Sequence, residues 1–324
     1  MASIKDVAKL SEVSVATVSR VLNDKGYVSE DTRKKVEQAI AELNYRPNEV
    51  ARSLFKKQSK TIGLIVPDIT NPYFPELAKA VEDTAMKLGY TMILCNSDED
   101  IEKEQRYLDI LLQKYVDGII VFSNTLSMDQ IRKLNIPIVS IDREISKDLP
   151  TIVVNNKKGA KLASSFLREK GCKRIAHLRG PYGIVNADER YAGYMDVVAE
   201  EEWFHEGYIV NGDYDMHSSI EATTELLRLH PEIDGIFAAS DTMAIGAIKA
   251  VHKLGMKVPE DISIIGFNGI RLSEATTPEL TTIVQPIYEL GETALTMLVK
   301  LIEQQPMEEI FYKLDVHLVE REST

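Results

Sequence analysis

From Thr61 onward, apolar residues arrive in short runs separated by stretches of helical periodicity, and this alternation narrows the possible folds more than any other feature of the chain. Ile62-Gly63-Leu64-Ile65-Val66, Thr91-Met92-Ile93-Leu94, Gly118-Ile119-Ile120-Val121-Phe122 and Ile136-Pro137-Ile138-Val139-Ser140 read as strands, with helices near Phe74 to Leu88 and Glu102 to Lys114 between them. Runs that are apolar throughout suit strands buried on both faces, as in a parallel sheet covered by crossover helices. A second series repeats the pattern: Arg174-Ile175-Ala176-His177-Leu178, Tyr208-Ile209-Val210, Gly235-Ile236-Phe237-Ala238-Ala239 and Ile262-Ser263-Ile264-Ile265-Gly266. Two α/β lobes in tandem imply a cleft, and ligands of open α/β sheets sit beyond the carboxyl ends of the strands.

The first 60 residues lack this alternation. Ser3 and Asp6 resemble a capping box, with Val7, Ala8 and Leu10 as the inner face of a first helix. After the turn Ser11-Glu12-Val13, Ser14 is a good N-cap for a short helix through Asn23 that buries Val18, Val21 and Leu22. Its opposite face carries Val15, Ala16, Ser19 and Arg20. Side chains this small let a helix approach base edges, an arginine donates two hydrogen bonds to guanine, and an apolar group meets a thymine methyl. Ser29 caps a third helix to Leu43, with Val36, Ile40 and Leu43 inward. Arg33, Lys34 and Lys35 lie outward, as a solvated basic face or as phosphate contacts. A helix, a tight turn and a second helix make a helix-turn-helix.

Charge supports the division. The chain of 324 residues has a formal net charge of −12, yet through Lys60 there are 12 Lys+Arg against 8 Asp+Glu, and beyond it 26 against 42. A basic head on an acidic body is the asymmetry expected when one end meets phosphates. The length itself exceeds the roughly 250 to 300 residues over which one core grows. Cys95 and Cys172 are far apart, so thiols in a reducing compartment are expected rather than a disulfide or metal site. With no apolar leader and no run near about 20 apolar residues, a cytoplasmic location away from membranes is expected.

Ile4-Lys5-Asp6-Val7-Ala8, then Val13 through Asn23, then Leu43-Asn44-Tyr45-Arg46-Pro47-Asn48 resemble the lactose/galactose repressor family, colinearly and over the whole chain. The resemblance implies a homodimer on double-stranded, palindromic operator DNA, with a headpiece over 1–46, a hinge helix and linker over 47–60 and a sugar-binding core over 61–324. It implies a core of the periplasmic sugar-receptor type, its first lobe about 61–156 plus 288–308 and its second about 157–285 plus 311–324. Base contacts are implied for Val15, Ala16 and Arg20, and backbone contacts for Ser14, Thr17, Asn23, Tyr27, Ser29, Thr32 and Asn48, with Ser19 on the same helix face. Pro47 through Leu54 reads as a short helix with Val50, Ala51 and Leu54 on one face, marginal alone. The resemblance implies that Leu54 wedges into the minor groove. The family usually has Ala-Gly where this chain has Ser11-Glu12, so a left-handed Glu12 would cost of order 1 kcal/mol.

Polar residues just past the strand ends are the ligand candidates: Asn71, Tyr73 and Phe74; Asp142 and Arg143; Arg190; Tyr214; Ser240 and Asp241; Asn268; and Gln285. Carboxylates and arginines of fixed orientation bracket hydroxyls, and aromatics cover apolar ring faces. The set is similar to that of ribose receptors and ribose repressors, which favours ribose as the small sugar effector. It departs from them at Ser240, where Asn is expected, and Asn268, where Asp is expected. Some members of the family answer instead to another sugar or to a phosphorylated carrier protein. The same clamshell also serves solute-binding receptors. The chain lacks GxxxxGK[ST], GxGxxG, HExxH and GxSxG patterns, and its six histidines show no metal spacing. No catalytic residue, metal or cofactor is expected.

Overall fold

The computed structural model describes residues 2–24, 26–45 and 58–324, and the chain forms two compact units, residues 1–59 and 60–324. In the first unit, α1 (Ile4–Leu10), α2 (Val15–Asn23) and α3 (Glu30–Glu42) enclose Val7, Ala8, Val18, Val21, Val36 and Ala39. Ser3 N donates to Asp6 Oδ2 at 2.8 Å and Asp6 N to Ser3 Oγ at 3.4 Å, which completes the capping box. Leu10, expected inside, is 44% exposed, because α1 ends at this residue and buries only Val7 and Ala8. Ile40 and Leu43 are half-buried against the core rather than within it.

The turn after α1 is a Schellman motif. Val13 N donates to Ala8 O at 3.0 Å and Glu12 N to Lys9 O at 3.4 Å, with Glu12 at φ 54°. The sequence departure therefore falls on the left-handed position that glycine normally fills.

The second unit holds two six-stranded sheets. The first is built from β1 (Thr61–Val66), β2 (Thr91–Asn96), β3 (Gly118–Val121), β4 (Ile138–Ile141), β5 (Thr151–Val154) and β11 (Phe311–Leu314), in the order β11-β5-β4-β3-β1-β2. The second is built from β6 (Ile175–Arg179), β7 (Ile209–Asn211), β8 (Gly235–Ala238), β9 (Ser263–Asn268), β10 (Thr281–Val284) and β12 (His317–Val319), in the order β12-β10-β9-β8-β6-β7. Every pairing is parallel except that of β12 with β10. Between the strands lie α4 (Tyr73–Lys87), α5 (Ile101–Gln113), α6 (Met128–Leu134), α7 (Asn156–Glu169), α8 (Val185–Val198), α9 (Met216–Leu229), α10 (Asp241–Lys253) and α11 (Ile287–Ile302).

The chain passes between lobes after β5, after β10 and after β11. The last crossing corrects the expected boundary: Phe311–Leu314 pairs in parallel with Thr151–Val154 and so belongs to the first lobe, not the second. The run Phe311-Tyr312-Lys313-Leu314 alternates in burial as an edge strand does, which hides it from a search for apolar runs. Helix α11 returns to the first lobe, where a Cβ on Gly291 would lie 2.8 Å from that of Ala80 on α4; glycine permits this approach.

Candidate functional site

In the three-helix unit, α2 presents Val15, Ala16 and Arg20 outward, with Ser14 and Ser29 exposed and Tyr27 91% exposed. Ser14 Oγ accepts from Thr17 N at 3.1 Å, and Ser29 Oγ from Thr32 N at 3.4 Å, so both pairs lie in first helical turns. Such termini offer backbone N–H groups and a positive dipole end to an anion. Asn23 Nδ2 donates to Ser19 O at 2.7 Å, which turns Asn23 back along the helix. Arg33 pairs with Asp24 at 2.7 Å. The expectations at Asn48, Ala51 and Leu54, and the hinge helix to which they belong, lie outside the described residues.

In the second unit, the strand ends of both lobes open on a cavity of about 560 Å³, within the usual size range of small-molecule sites. Nine expected residues line it: Asn71, Tyr73, Phe74, Asp142, Arg190, Tyr214, Ser240, Asn268 and Gln285. Two do not. Arg143 is not among the lining residues; its Nη1 is buried with no hydrogen-bond partner among the described residues, and Ser140 Oγ donates to its backbone O at 2.8 Å. Asp241 lies fully buried behind the wall. Its Oδ2 accepts from Gly269 N at 2.7 Å and Ile270 N at 2.8 Å, its Oδ1 accepts from Thr282 Oγ1, and Gly266 leaves room for it. Burial pushes the Asp241 carboxyl up to about 6 against those bonds. This aspartate fastens the loop after β9 to β10, which explains its place after a strand without any ligand.

At the centre of the cavity, Asp142 follows β4 of the first lobe and Asn186 and Arg190 belong to α8 of the second. Asn186 Nδ2 donates to Asp142 Oδ2, while Asp142 Oδ1 is buried with no hydrogen-bond partner among the described residues. Burial drives the Asp142 carboxyl up to about 6, although Arg190 and Asn186 favour its ionised form. Arg190 is fixed on three sides: Nε donates to Asn156 Oδ1 at 2.9 Å, Nη1 to Ala239 O at 2.6 Å, and the guanidinium lies 3.9 Å over the Phe267 ring.

Tyr73, Phe74 and Phe122 meet edge to face with centroids 4.9 to 6.1 Å apart, forming an apolar wall. Tyr214 faces it from the other lobe. Its hydroxyl donates to Asn186 Oδ1 at 2.7 Å, and Gly180 is required beneath the ring, where a Cβ would come within 2.6 Å. Tyr73 Oη donates to Gln285 Oε1 at 3.4 Å and Gln285 Nε2 to Asn268 Oδ1 at 2.7 Å, a chain running from the first lobe through a crossover to the second. Asn268 thus gives its acceptor to Gln285. Ser240 Oγ accepts from Met243 N at 3.2 Å and caps α10.

Sequence reading missed Asn186, Asn156 and Phe122. Asn186 stands four residues before Arg190, one helical turn away, and that spacing was the available signal. His177 is structural: Nδ1 lies 2.9 Å from Phe237 O, the ring stacks on Tyr194 and Phe237, and burial holds its pKa down to about 3. His217 is exposed beside Glu221. Among the described residues no group of three or more His, Cys, Asp or Glu could hold a metal ion, and no helix is long and apolar enough to cross a membrane.

A family model of bacterial regulatory proteins of the lacI family matches residues 3–48, and one of periplasmic binding proteins and the sugar-binding domain of the LacI family matches residues 59–315. This chain belongs to the LacI family of transcriptional regulators. A ribose operon repressor of Halalkalibacterium halodurans is 50% identical over all of this chain and 97% of that protein. The lac repressor dimer bound to operator and the anti-inducer ONPF superposes with a TM-score of 0.89 at 30% identity, over 99% of this chain and 98% of that one. A periplasmic binding protein/LacI regulator of Alkaliphilus metalliredigens complexed with D-xylulofuranose gives a TM-score of 0.74 at 34% identity, over 82% of this chain and 99% of that one. Members of the LacI family are regulators, not enzymes.

Proposed function

We propose that this LacI-family protein represses transcription from a palindromic operator as a cytoplasmic homodimer, and that ribose in the inter-lobe cleft weakens its hold on that operator. The observation that carries the ligand half is the buried, unpartnered Oδ1 of Asp142 near the rigidly held Arg190, with aromatic walls on either side. An oriented acceptor, an oriented guanidinium and apolar faces are what a small polyhydroxylated ring requires. The 50% identical ribose operon repressor supports ribose within that class.

In the DNA half, Arg20, Val15 and Ala16 meet base edges. Ser14, Thr17, Asn23, Tyr27, Ser29, Thr32 and Asn48 meet the backbone, Ser19 and Ala51 also lie against the DNA, and Leu54 wedges into the minor groove. The two halves are coupled because sugar favours one arrangement of the lobes, a differential affinity of about 1 to 3 kcal/mol in systems of this kind. Fluorescence anisotropy of a labelled palindromic operator, titrated with the full chain at fixed salt, tests both halves. Ribose is expected to weaken binding tenfold or more. Tight binding that only a different sugar weakens would replace ribose and keep the repressor; no binding to any palindrome near sugar genes would remove the DNA half.

A further inference from the structure

Resting on the cleft as a sugar site, we infer that its effector is an electrically neutral, unphosphorylated sugar and that the charge of the walls excludes phosphate esters and sugar acids. Asp68, Asp98 and Glu99 line the cavity from the first lobe, Asp213 and Asp215 from the second, and Asp142 from its centre, while Arg190 is the only Lys or Arg among the lining residues. Two nitrogens of that guanidinium, Nε and Nη1, already donate to Asn156 and Ala239 and its face rests on Phe267, so it offers a ligand one oriented group rather than a cluster of cations. A phosphate ester needs several convergent donors or a cluster of cations.

The acids owe their positions to local turns. Asp68 Oδ1 accepts from Thr70 N at 2.8 Å and Asp215 Oδ1 from Ser218 N at 2.7 Å, which satisfies hydrogen bonds without cancelling charge. Asp98 alone among them pairs with a lysine, Lys103. Burial, and to a lesser degree neighbouring Asp68, raise the Glu99 carboxyl above its ordinary range. Three helix N-termini beside the cavity without side-chain caps, those of α4, α8 and α11, work in the opposite direction. Each carries roughly half a unit of positive charge, too little against the carboxylates that remain.

The regulator therefore reports the sugar before a phosphoryl-transfer reaction consumes it, not the ester that such a reaction yields. The test is calorimetric titration of the full chain at pH 7.5 with D-ribose, a panel of other neutral aldoses, and D-ribose 5-phosphate, at low and high salt. A neutral sugar is expected to bind at least 100-fold tighter than the ester, with the ratio shrinking as salt screens the walls. An ester that binds within tenfold of the best neutral sugar, or tighter, overturns the inference and leaves the sugar site standing. Failure of every sugar and of the ester overturns both. A D68N/D213N variant keeps turn-forming side chains, since asparagine replaces aspartate in such turns. It is expected to raise ester affinity relative to neutral sugar at least tenfold, and an unmoved ratio counts against the charged wall.

Discussion

The three-helix unit and the cleft use arginine in opposite ways. Arg20 stands exposed on α2, free of the unit's small apolar core, whereas Arg190 is 3% exposed and held by Asn156, Ala239 and Phe267. An exposed side chain reads a surface that arrives from outside and leaves its own fold unaffected when removed. A buried one is part of the wall, so its function and its packing are one set of bonds. The difference teaches that Arg20 can be altered without structural consequence, unlike the capping residues Ser14 and Ser29 beside it, while the cleft can be altered only through its supporting network.

The largest expected effect breaks the cleft alone. Truncating one partner of a buried charged network costs about 2 to 5 kcal/mol. R190A is therefore expected to lose at least 100-fold in sugar affinity by calorimetry, with operator affinity in the absence of sugar within threefold of the parent. Operator binding that falls in step would show that the two regions cannot be separated. The reciprocal change is R20A, where loss of a bidentate base contact removes about 1 to 3 kcal/mol of discrimination. Preference for operator over scrambled DNA is expected to drop roughly 10- to 100-fold while sugar affinity stays as it was.

A smaller effect comes from pH, and it sharpens the same contrast. In the proposed complex Asp142 accepts from a sugar hydroxyl as the carboxylate, and burial places its pKa at about 6. Above pH 7 it is ionised and sugar affinity is level; as pH falls through 6 the acceptor form is depleted and affinity drops toward tenfold per unit. Calorimetry from pH 5 to 8 reads the slope, and D142N should abolish it along with most of the affinity. A slope that survives in D142N assigns the titration elsewhere.

The same contrast explains what could be read from the residues. The α2 face was legible because exposure and helical period are local properties, and Ser14, Val18 and Arg20 fall where their spacing puts them. The alternation of strands and helices was legible for the same reason. The cleft was legible only to the level of strand ends. That rule finds Asp142 and Asn268 but cannot tell which neighbour lines the cavity, and so it also selects Arg143 and Asp241. Asp241 is separated from Gly269, Ile270 and Thr282 by 28, 29 and 41 residues, and no local pattern announces such bonds. The bond by which Asn186 bridges the lobes to Asp142 across 44 residues was invisible for that reason, and only its local spacing from Arg190 pointed to it.

The smallest expected effect lies in the three-helix unit, where two Schellman turns carry different residues at the left-handed position. After α3, Tyr45 N donates to Ile40 O at 2.9 Å and Asn44 to Ala41 O at 3.1 Å, with Asn44 at φ 44°. After α1 the same bonds are made with Glu12 in the left-handed position. Asparagine tolerates that conformation because its short amide bonds locally, but glutamate has no such compensation, and the left-handed backbone costs roughly 1 to 2 kcal/mol for an ordinary residue. Glycine removes that strain and returns about 0.5 to 1 kcal/mol of it as unfolded-state entropy. E12G is therefore expected to stabilise the unit by about 0.5 to 1 kcal/mol, seen as a two- to fivefold rise in hydrogen-exchange protection of the α1 and α2 amides in the full chain. Protection within the second unit should not change. A loss of protection in E12G would mean that the Glu12 side chain makes a stabilising contact outweighing the strain of its backbone.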